Sequence, residues 1–231
     1  MRWAGFDFGQ CIMDSTNRRV EYWMAAVFIE EEKDRSGVID EKVKLYRELI
    51  EKYGDFRRLH EKGRREVEEK VLESNSCLIK KYYEVEQKLL KPADGIYDAL
   101  KHLKSKGYRI DVVSDMGALN VIVNFLNNYN LRHFFSNIYS PSGVIRENGE
   151  IDSSFKGVSK EDGSLYLKLK EDLEKSGIDV KNTYMIGDHP VKDIEMAKKY
   201  GFKTIHYAVK GEESEHADHV IKTFHEIKDI L

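Results

Sequence analysis

The chain is short of cysteine, of long apolar runs and of net charge, and each shortage removes a class of protein. Its 231 residues include only two cysteines, Cys11 and Cys77. They lack metal-ligand spacing and form no disulfide framework, so they read as reduced thiols. No segment approaches the roughly 18–20 apolar residues needed to span a bilayer. No basic stretch at the start leads into such a run. The expectation is a cytoplasmic chain with no membrane partner. A formal net charge of −3, from 38 basic and 41 acidic residues, leaves neither a nucleic-acid footprint nor a polybasic patch. Internal repeats and low-complexity stretches are absent too. Charge of both signs is plentiful, at 34% of residues, which suits a surface laced with ion pairs. The length suffices for one full core plus an inserted module.

The texture along the chain changes twice. A short apolar strand opens it, Met1-Arg2-Trp3-Ala4-Gly5-Phe6. From about 18 to 90 no strand is predicted. Tyr22, Trp23, Ala26, Val27 and Ile29-Glu30 recur at helical spacing, as do Val43, Tyr46, Ile50 and Tyr53. Val67, Val71, Leu78, Tyr82, Val85 and Leu89 extend the same period. Gly37, Gly54 and Gly63 punctuate this block, and Ser36 and Asp55 suit N-caps, which gives about four helices. After Pro92 and Gly95 strands and helices alternate. Strands are predicted at Tyr108–Ser114, Asn137–Ser140, Thr183–Ile186, Lys203–Tyr207 and His219–Ile221. Helices are predicted near 94–106, 117–130, 164–176 and 192–200, with a last one running to Leu231. Val144–Ile151 reads as a β-hairpin on the Asn148-Gly149 turn. Such alternation implies an α/β fold: a Rossmann-like core with a parallel central sheet, ligands at the carboxyl ends of its strands, and an inserted all-helical domain. The predicted boundaries are 1–15 with 91–231 for the core and 16–90 for the helical insertion.

Asp7 stands just past the first strand, followed by the small-residue turn Phe8-Gly9-Gln10-Cys11. A carboxylate there is exposed by the strand end, and the turn brings backbone N–H groups toward an incoming anion. Three further features fall at the same sheet edge. Ser114-Asp115 ends the strand Ile110–Val113, Lys160 precedes the helix that starts near Ser164, and Gly187-Asp188 with Asp193 follows Tyr184–Ile186.

These four stretches, in this order and strand–helix context, resemble the motifs of the haloacid dehalogenase superfamily over nearly the whole chain. Phe6–Ser15 is similar to the first motif, Val112–Asp115 to the second, Lys160 with its short turn and aromatic-led helix to the third, and Gly187-Asp188 with Asp193 to the fourth. Lys156 competes for the third, since no proline follows Lys160. The resemblance implies a hydrolase acting on a small phosphorylated or phosphonate substrate, working as a monomer or homodimer, with Mg²⁺ as cofactor. It casts Asp7 as the nucleophile that becomes an aspartyl-phosphate. It casts Asp7, Asp188 and the backbone carbonyl of Gly9 as metal ligands, and Asp193 as orienting the metal's waters or Lys160. Ser114, Asp115, Lys160, Gly9 and Gln10 would surround the phosphate or substrate. The helical block would be a cap of the family's first type.

One position departs from the pattern. Phosphatases of this family carry a second aspartate two residues after the nucleophile, where this chain has Gly9. Glycine can neither protonate a leaving group nor activate water, and general acid–base catalysis contributes roughly 10²–10⁴ in rate. Three readings stay open. One is a phosphatase restricted to good leaving groups or borrowing a base from Gln10, Asp14, His189 or the cap. Another is a phosphonatase-like enzyme. The third is a catalytically weakened protein that binds a phosphorylated ligand or a protein partner. Dehalogenation ranks lower because the pair Asp188 and Asp193 is retained. Cys11 reads as a small packing residue.

Overall fold

The computed structural model describes residues 1–14, 27, 36–53, 61–209, 211 and 213–231. Tyr22, Trp23, Ala26, Ile29, Glu30, Gly54 and Asp55 lie outside them. The chain divides into two compact units, Ser15–Lys91 and Met1–Asp14 with Pro92–Leu231.

The first unit is helical where it is described. Its elements are α1 (Ser36–Tyr53), α2 (Glu61–Glu66), a π-turn at Val67–Val71, and α3 (Ser76–Leu89). Ile39, Val43, Tyr46 and Leu49 recur every three to four residues, which gathers them on one face of α1. They join a cluster with Val27, Val67, Val71, Leu72, Leu78 and Tyr82. Lys42 is buried beside it, donating to the Lys70 carbonyl at 3.2 Å and pairing with Glu73 at 2.8 Å. No helix among the described residues is long and apolar enough to cross a membrane.

The second unit is built on an eight-stranded sheet. Its strands are β1 (Arg2–Phe6), β2 (Tyr108–Val113), β3 (Ile138–Ser140), β4 (Gly143–Ile145), β5 (Ile151–Asp152), β6 (Thr183–Gly187), β7 (Lys203–Tyr207) and β8 (His219–Ile221). The order is β8-β7-β6-β1-β2-β3-β4-β5. From β8 to β3 every pairing is parallel. The expected hairpin forms, but β4 also turns back on β3, so β4 and β5 extend the sheet as an antiparallel edge.

Strand β1 is central and buried from Trp3 to Phe6, which is why it reads as a continuous apolar run rather than an alternating one. Its side chains still alternate between faces. Trp3 packs at 5.8 Å from Phe202, in a cluster with Leu165, Tyr166, Leu169 and Leu173 of α6 (Ser164–Lys175). Phe6 meets Phe135 and Phe224 at 6.5 and 6.0 Å. Two further helices, α4 (Ile96–Ser105) and α5 (Leu119–Asn128), bury an apolar stripe each. The helices predicted near 192–200 and at the end of the chain form, each with a first turn that is not α-helical. The first is a π-turn, Pro190–Glu195, running into α7 (Met196–Lys199), and the second is a 3₁₀ turn before α8 (Ile227–Ile230).

Within the sheet and reaching α6 lies a polar network that no motif announced. Asp111 accepts from Trp3 Nε1 and the Asn137 amide, each at 2.7 Å, and pairs with Arg109 at 3.0 Å. Arg109 donates to the Tyr139 hydroxyl, which donates to Asp172 at 2.6 Å. Arg146 grips Asp172 through both guanidinium nitrogens, at 2.7 and 2.9 Å, and also reaches Asp152. Its hydrogen bonds hold Asp152 down at about 2 and, against burial, keep Asp172 below its ordinary value. Arg146→Met should cost about 2 kcal/mol at pH 7, because Asp172 loses a bidentate, half-buried partner. Both carboxylates have depressed folded pKa values, so this stabilisation is present above about pH 4 and lost in acid, the Asp152 share as pH falls through about 2. Urea unfolding at pH 7 and pH 2.5 should therefore show a gap that closes in acid.

Candidate active site

Strand register assembles the site. Phe6 pairs with Val112 of β2 on one side and with Ile186 of β6 on the other. Asp7, Ser114 and Asp188 therefore leave three adjacent strands at the same carboxyl edge, where open α/β sheets bind ligands. The Asp7 amide donates to the Ile186 carbonyl at 2.8 Å, continuing the ladder one residue past β1. The following loop closes on itself, with Ile12 N–H donating to the Asp7 carbonyl at 3.3 Å and Met13 N–H to that of Phe8 at 2.9 Å. Cys11 is buried under this loop, its thiol donating to the Ile186 carbonyl. Burial and the nearby carboxylates push that thiol well above its ordinary range, so it is a packing group rather than a thiolate.

Lys160 enters from the loop before α6. It is 2% exposed, and its ammonium donates to Asp7 Oδ1 at 2.5 Å and to Asp193 Oδ1 at 2.7 Å. No proline stiffens this loop; side chains do so instead. Ser159 N–H donates to Ser164 Oγ, Glu161 N–H to Ser159 Oγ, and Ser164 N–H to Asp162 Oδ1. The Lys160 amide itself donates to Asp115 Oδ1 at 2.8 Å. The rival Lys156 is exposed.

Asp193 is buried and has both oxygens engaged, Oδ1 by Lys160 and Oδ2 by the His189 amide at 3.0 Å. Gly187 makes room for it, since a Cβ there would lie 2.4 Å from the Asp193 carboxyl carbon. Gly187→Ala should consequently cost about 1–3 kcal/mol by overpacking, read as a lower denaturant midpoint. An unchanged midpoint would show that Asp193 moves aside freely.

Three carboxylates and one ammonium thus share a small volume. One oxygen each from Asp7, Asp188 and Asp193 lie within 4.8 Å of one another. Burial is the largest influence on Asp7, and with repulsion from Asp193 and Asp188 it outweighs the opposing Lys160, pushing the carboxyl up to about 8. The same carboxylates hold the Lys160 ammonium charged against burial. The excess negative charge and all-oxygen donor set fit a hard divalent cation. With Asp193 fully engaged, Asp7 and Asp188 are the carboxylates suited to hold it.

The other expected residues fall as follows. Ser114 is buried, and its Oγ accepts from the Met116 amide at 3.1 Å, which leaves its O–H to donate. Asp115 spends one carboxylate oxygen on the Lys160 amide. Gly9 is half-buried and bridges to Met13; among the described residues a Cβ on it would meet no atom within 4 Å beyond its chain neighbours. Gln10 follows at φ +61°. His189, a candidate base, is half-buried and caps the next turn, with Nδ1 accepting from the Val191 and Lys192 amides. His206 carried no signal in the sequence, and Tyr166 only as the aromatic that leads its helix. His206 is buried, with Nδ1 accepting from Ser214 N–H, so its Nε2–H donates to the Asp188 carbonyl at 3.1 Å. Tyr166 donates to the Lys192 carbonyl at 2.8 Å.

Three solved structures share this architecture. YfnB from Bacillus subtilis, described as a HAD-hydrolase and bound to magnesium, is 16% identical with a TM-score of 0.67, over 100% of this chain and 98% of its own. The HAD phosphatase from Thermococcus onnurineus is 17% identical with a TM-score of 0.66, over 100% and 97%. A dehalogenase with an intermediate complex is 16% identical with a TM-score of 0.64, over 100% and 97%. At such identities the likeness is one of fold. No curated protein sequence matches the chain. The model of the haloacid dehalogenase-like hydrolase family matches residues 6–207, and the chain belongs to that family.

Proposed function

We propose that this hydrolase is a Mg²⁺-dependent phosphohydrolase that takes a phosphoryl group onto Asp7 and passes it to water. The observation that carries this reading is the buried Asp7–Lys160–Asp193 chain at the carboxyl edge of β1, with Asp188 beside it. Lys160 holds Asp7 Oδ1, so Oδ2 is the oxygen set to attack phosphorus. The ammonium also offsets the charge that a dianionic substrate brings. Ser114 would donate its hydroxyl to a phosphoryl oxygen. Asp193 orients Lys160, Asp115 fixes the Lys160 backbone, and His206 fixes the Asp188 backbone. A Mg²⁺ held by Asp7, Asp188 and the Gly9 carbonyl would supply further charge neutralisation.

Gly9 selects the substrate within this reading. With no acid two residues past Asp7, the preferred leaving group is one that departs without a proton, as in acyl or aryl phosphates. We assign the helical unit, Ser15–Lys91, the role of a cap that chooses among small cytoplasmic phosphorylated or phosphonate metabolites. A second reading, favoured by Gly9 alone, is a protein that binds a phosphorylated ligand and turns it over poorly. Phosphate release from acetyl phosphate, p-nitrophenyl phosphate, sugar phosphates and phosphonoacetaldehyde, with Mg²⁺ and with EDTA, separates the two. Metal-dependent turnover that falls steeply as the leaving group becomes more basic supports the hydrolase. Tight binding with no turnover of any member supports the second.

A further inference from the structure

Gln10 carries two features that the fold does not require. It is 4% exposed, yet its side-chain carbonyl Oε1 accepts no hydrogen bond from any described residue. Its backbone sits at φ +61°, a left-handed conformation that glycine adopts readily and a long side chain resists. Both burdens fall three residues after Asp7. Three residues span at most about 11 Å, and the Ile12-to-Asp7 and Met13-to-Phe8 hydrogen bonds fold the loop tighter than that. Beside it, no atom of the described residues other than its chain neighbours lies within 4 Å of a Cβ on Gly9. A buried carbonyl oxygen without a donor is destabilising unless a donor arrives with the ligand.

We propose that Gln10 is a positioning residue for the water that releases phosphate from Asp7. This rests on the phosphohydrolase reading above. Oε1 accepts one hydrogen bond from that water in the space beside Gly9 and orients its oxygen toward phosphorus. A carboxamide cannot take the proton, and the balance does not need it to. The water oxygen forms the new P–O bond and the bond from phosphorus to Asp7 Oδ2 breaks. Both water hydrogens stay on the product, so an aspartyl-phosphate dianion and H₂O yield the Asp7 carboxylate and H₂PO₄⁻. Orientation replaces a base, which suits a site whose second aspartate is glycine.

The test uses Gln10→Gly, which accepts φ +61° and removes the amide, and Gln10→Asn, which keeps a shorter amide and tolerates that backbone. With acetyl phosphate and Mg²⁺, rapid quench and intact mass would follow the aspartyl-phosphate, while phosphate release follows turnover. Gln10→Gly should form the adduct at the wild-type rate, accumulate it, and release phosphate about 10–100-fold more slowly, the scale of misplacing a reacting group. Gln10→Asn should recover part of the loss, and neither variant should melt below the wild type. Unchanged release, or equal slowing of both steps, would overturn the role of Gln10. A wild type that never carries the adduct, with any donor, would overturn the phosphohydrolase reading and this proposal with it.

Discussion

Asp7→Asn should abolish phosphate release, by about 10⁴-fold or more, while raising the melting temperature of the metal-free protein above pH 7. The first effect is chemical: the amide keeps the shape of the side chain but has no carboxylate to attack phosphorus, and losing a covalent nucleophile is among the largest single effects in catalysis. The fold does not depend on the charge, because the loop is closed by the Asp7 backbone N–H and carbonyl. The second effect follows from burial. The folded protein pushes the Asp7 carboxyl up to about 8, above the ordinary 3.8, so it binds a proton there that the unfolded chain has released. Asp7 therefore contributes stability below about pH 4 and loses it as pH rises through about 8. Asparagine, always neutral, escapes that loss. Thermal melts of the two proteins in EDTA should coincide near pH 4 and diverge toward pH 9 with the variant higher. A variant that melts lower at pH 9 would show that Lys160 stabilises the ionised carboxylate more than burial opposes it. A variant that still turns over would remove Asp7 from its proposed role.

The fold was legible because its signals are local. A buried central strand reads as an apolar run, and α6 shows Leu165, Leu169 and Leu173 one turn apart. The eight-stranded order was not, because strand pairing depends on contacts far apart in the chain. Pro141-Ser142-Gly143 marks a turn after Ser140, but not that β4 folds back on β3 before the hairpin. The four motif stretches were visible for the same reason that they meet in space: each directly follows a strand or precedes a helix, and parallel register does the rest. What supports them was invisible. His206 against the Asp188 carbonyl, Asp115 against the Lys160 amide, and the His189 cap are side-chain-to-backbone bonds, and such bonds follow from loop paths rather than residue patterns. The network from Trp3 through Asp111, Tyr139 and Asp172 to Arg146 spans four elements and the loop after β4. In sequence it is only scattered polar residues within apolar strands. Gly187 was visible only as part of the fourth motif, and the Asp193 carboxyl packed against it explains why no side chain fits.

Gly9 is the opposite case, and it sets the second large effect: Gly9→Asp should raise hydrolysis of alkyl phosphates by about 10²–10⁴-fold, the scale of general acid–base catalysis. Among the described residues no atom beyond the chain neighbours lies within 4 Å of a Cβ at this position, and its φ is not in the left-handed region, so the backbone accepts the substitution. The backbone carbonyl offered to a metal is unchanged. A carboxylic acid there can give its proton to a departing alkoxide, which otherwise leaves as a strong base. It can then accept a proton from the attacking water. The gain should be largest for the most basic leaving groups and small for acetyl phosphate, whose leaving carboxylate needs no proton. A plot of log kcat/KM against leaving-group pKa should accordingly be steep for the wild type and shallow for Gly9→Asp. Equal slopes would place proton transfer on another residue already in the wild-type protein. A uniform loss across the series would mean that the space beside Gly9 belongs to the substrate or to the water that Gln10 orients, and that a fourth carboxylate merely adds repulsion to the three already there.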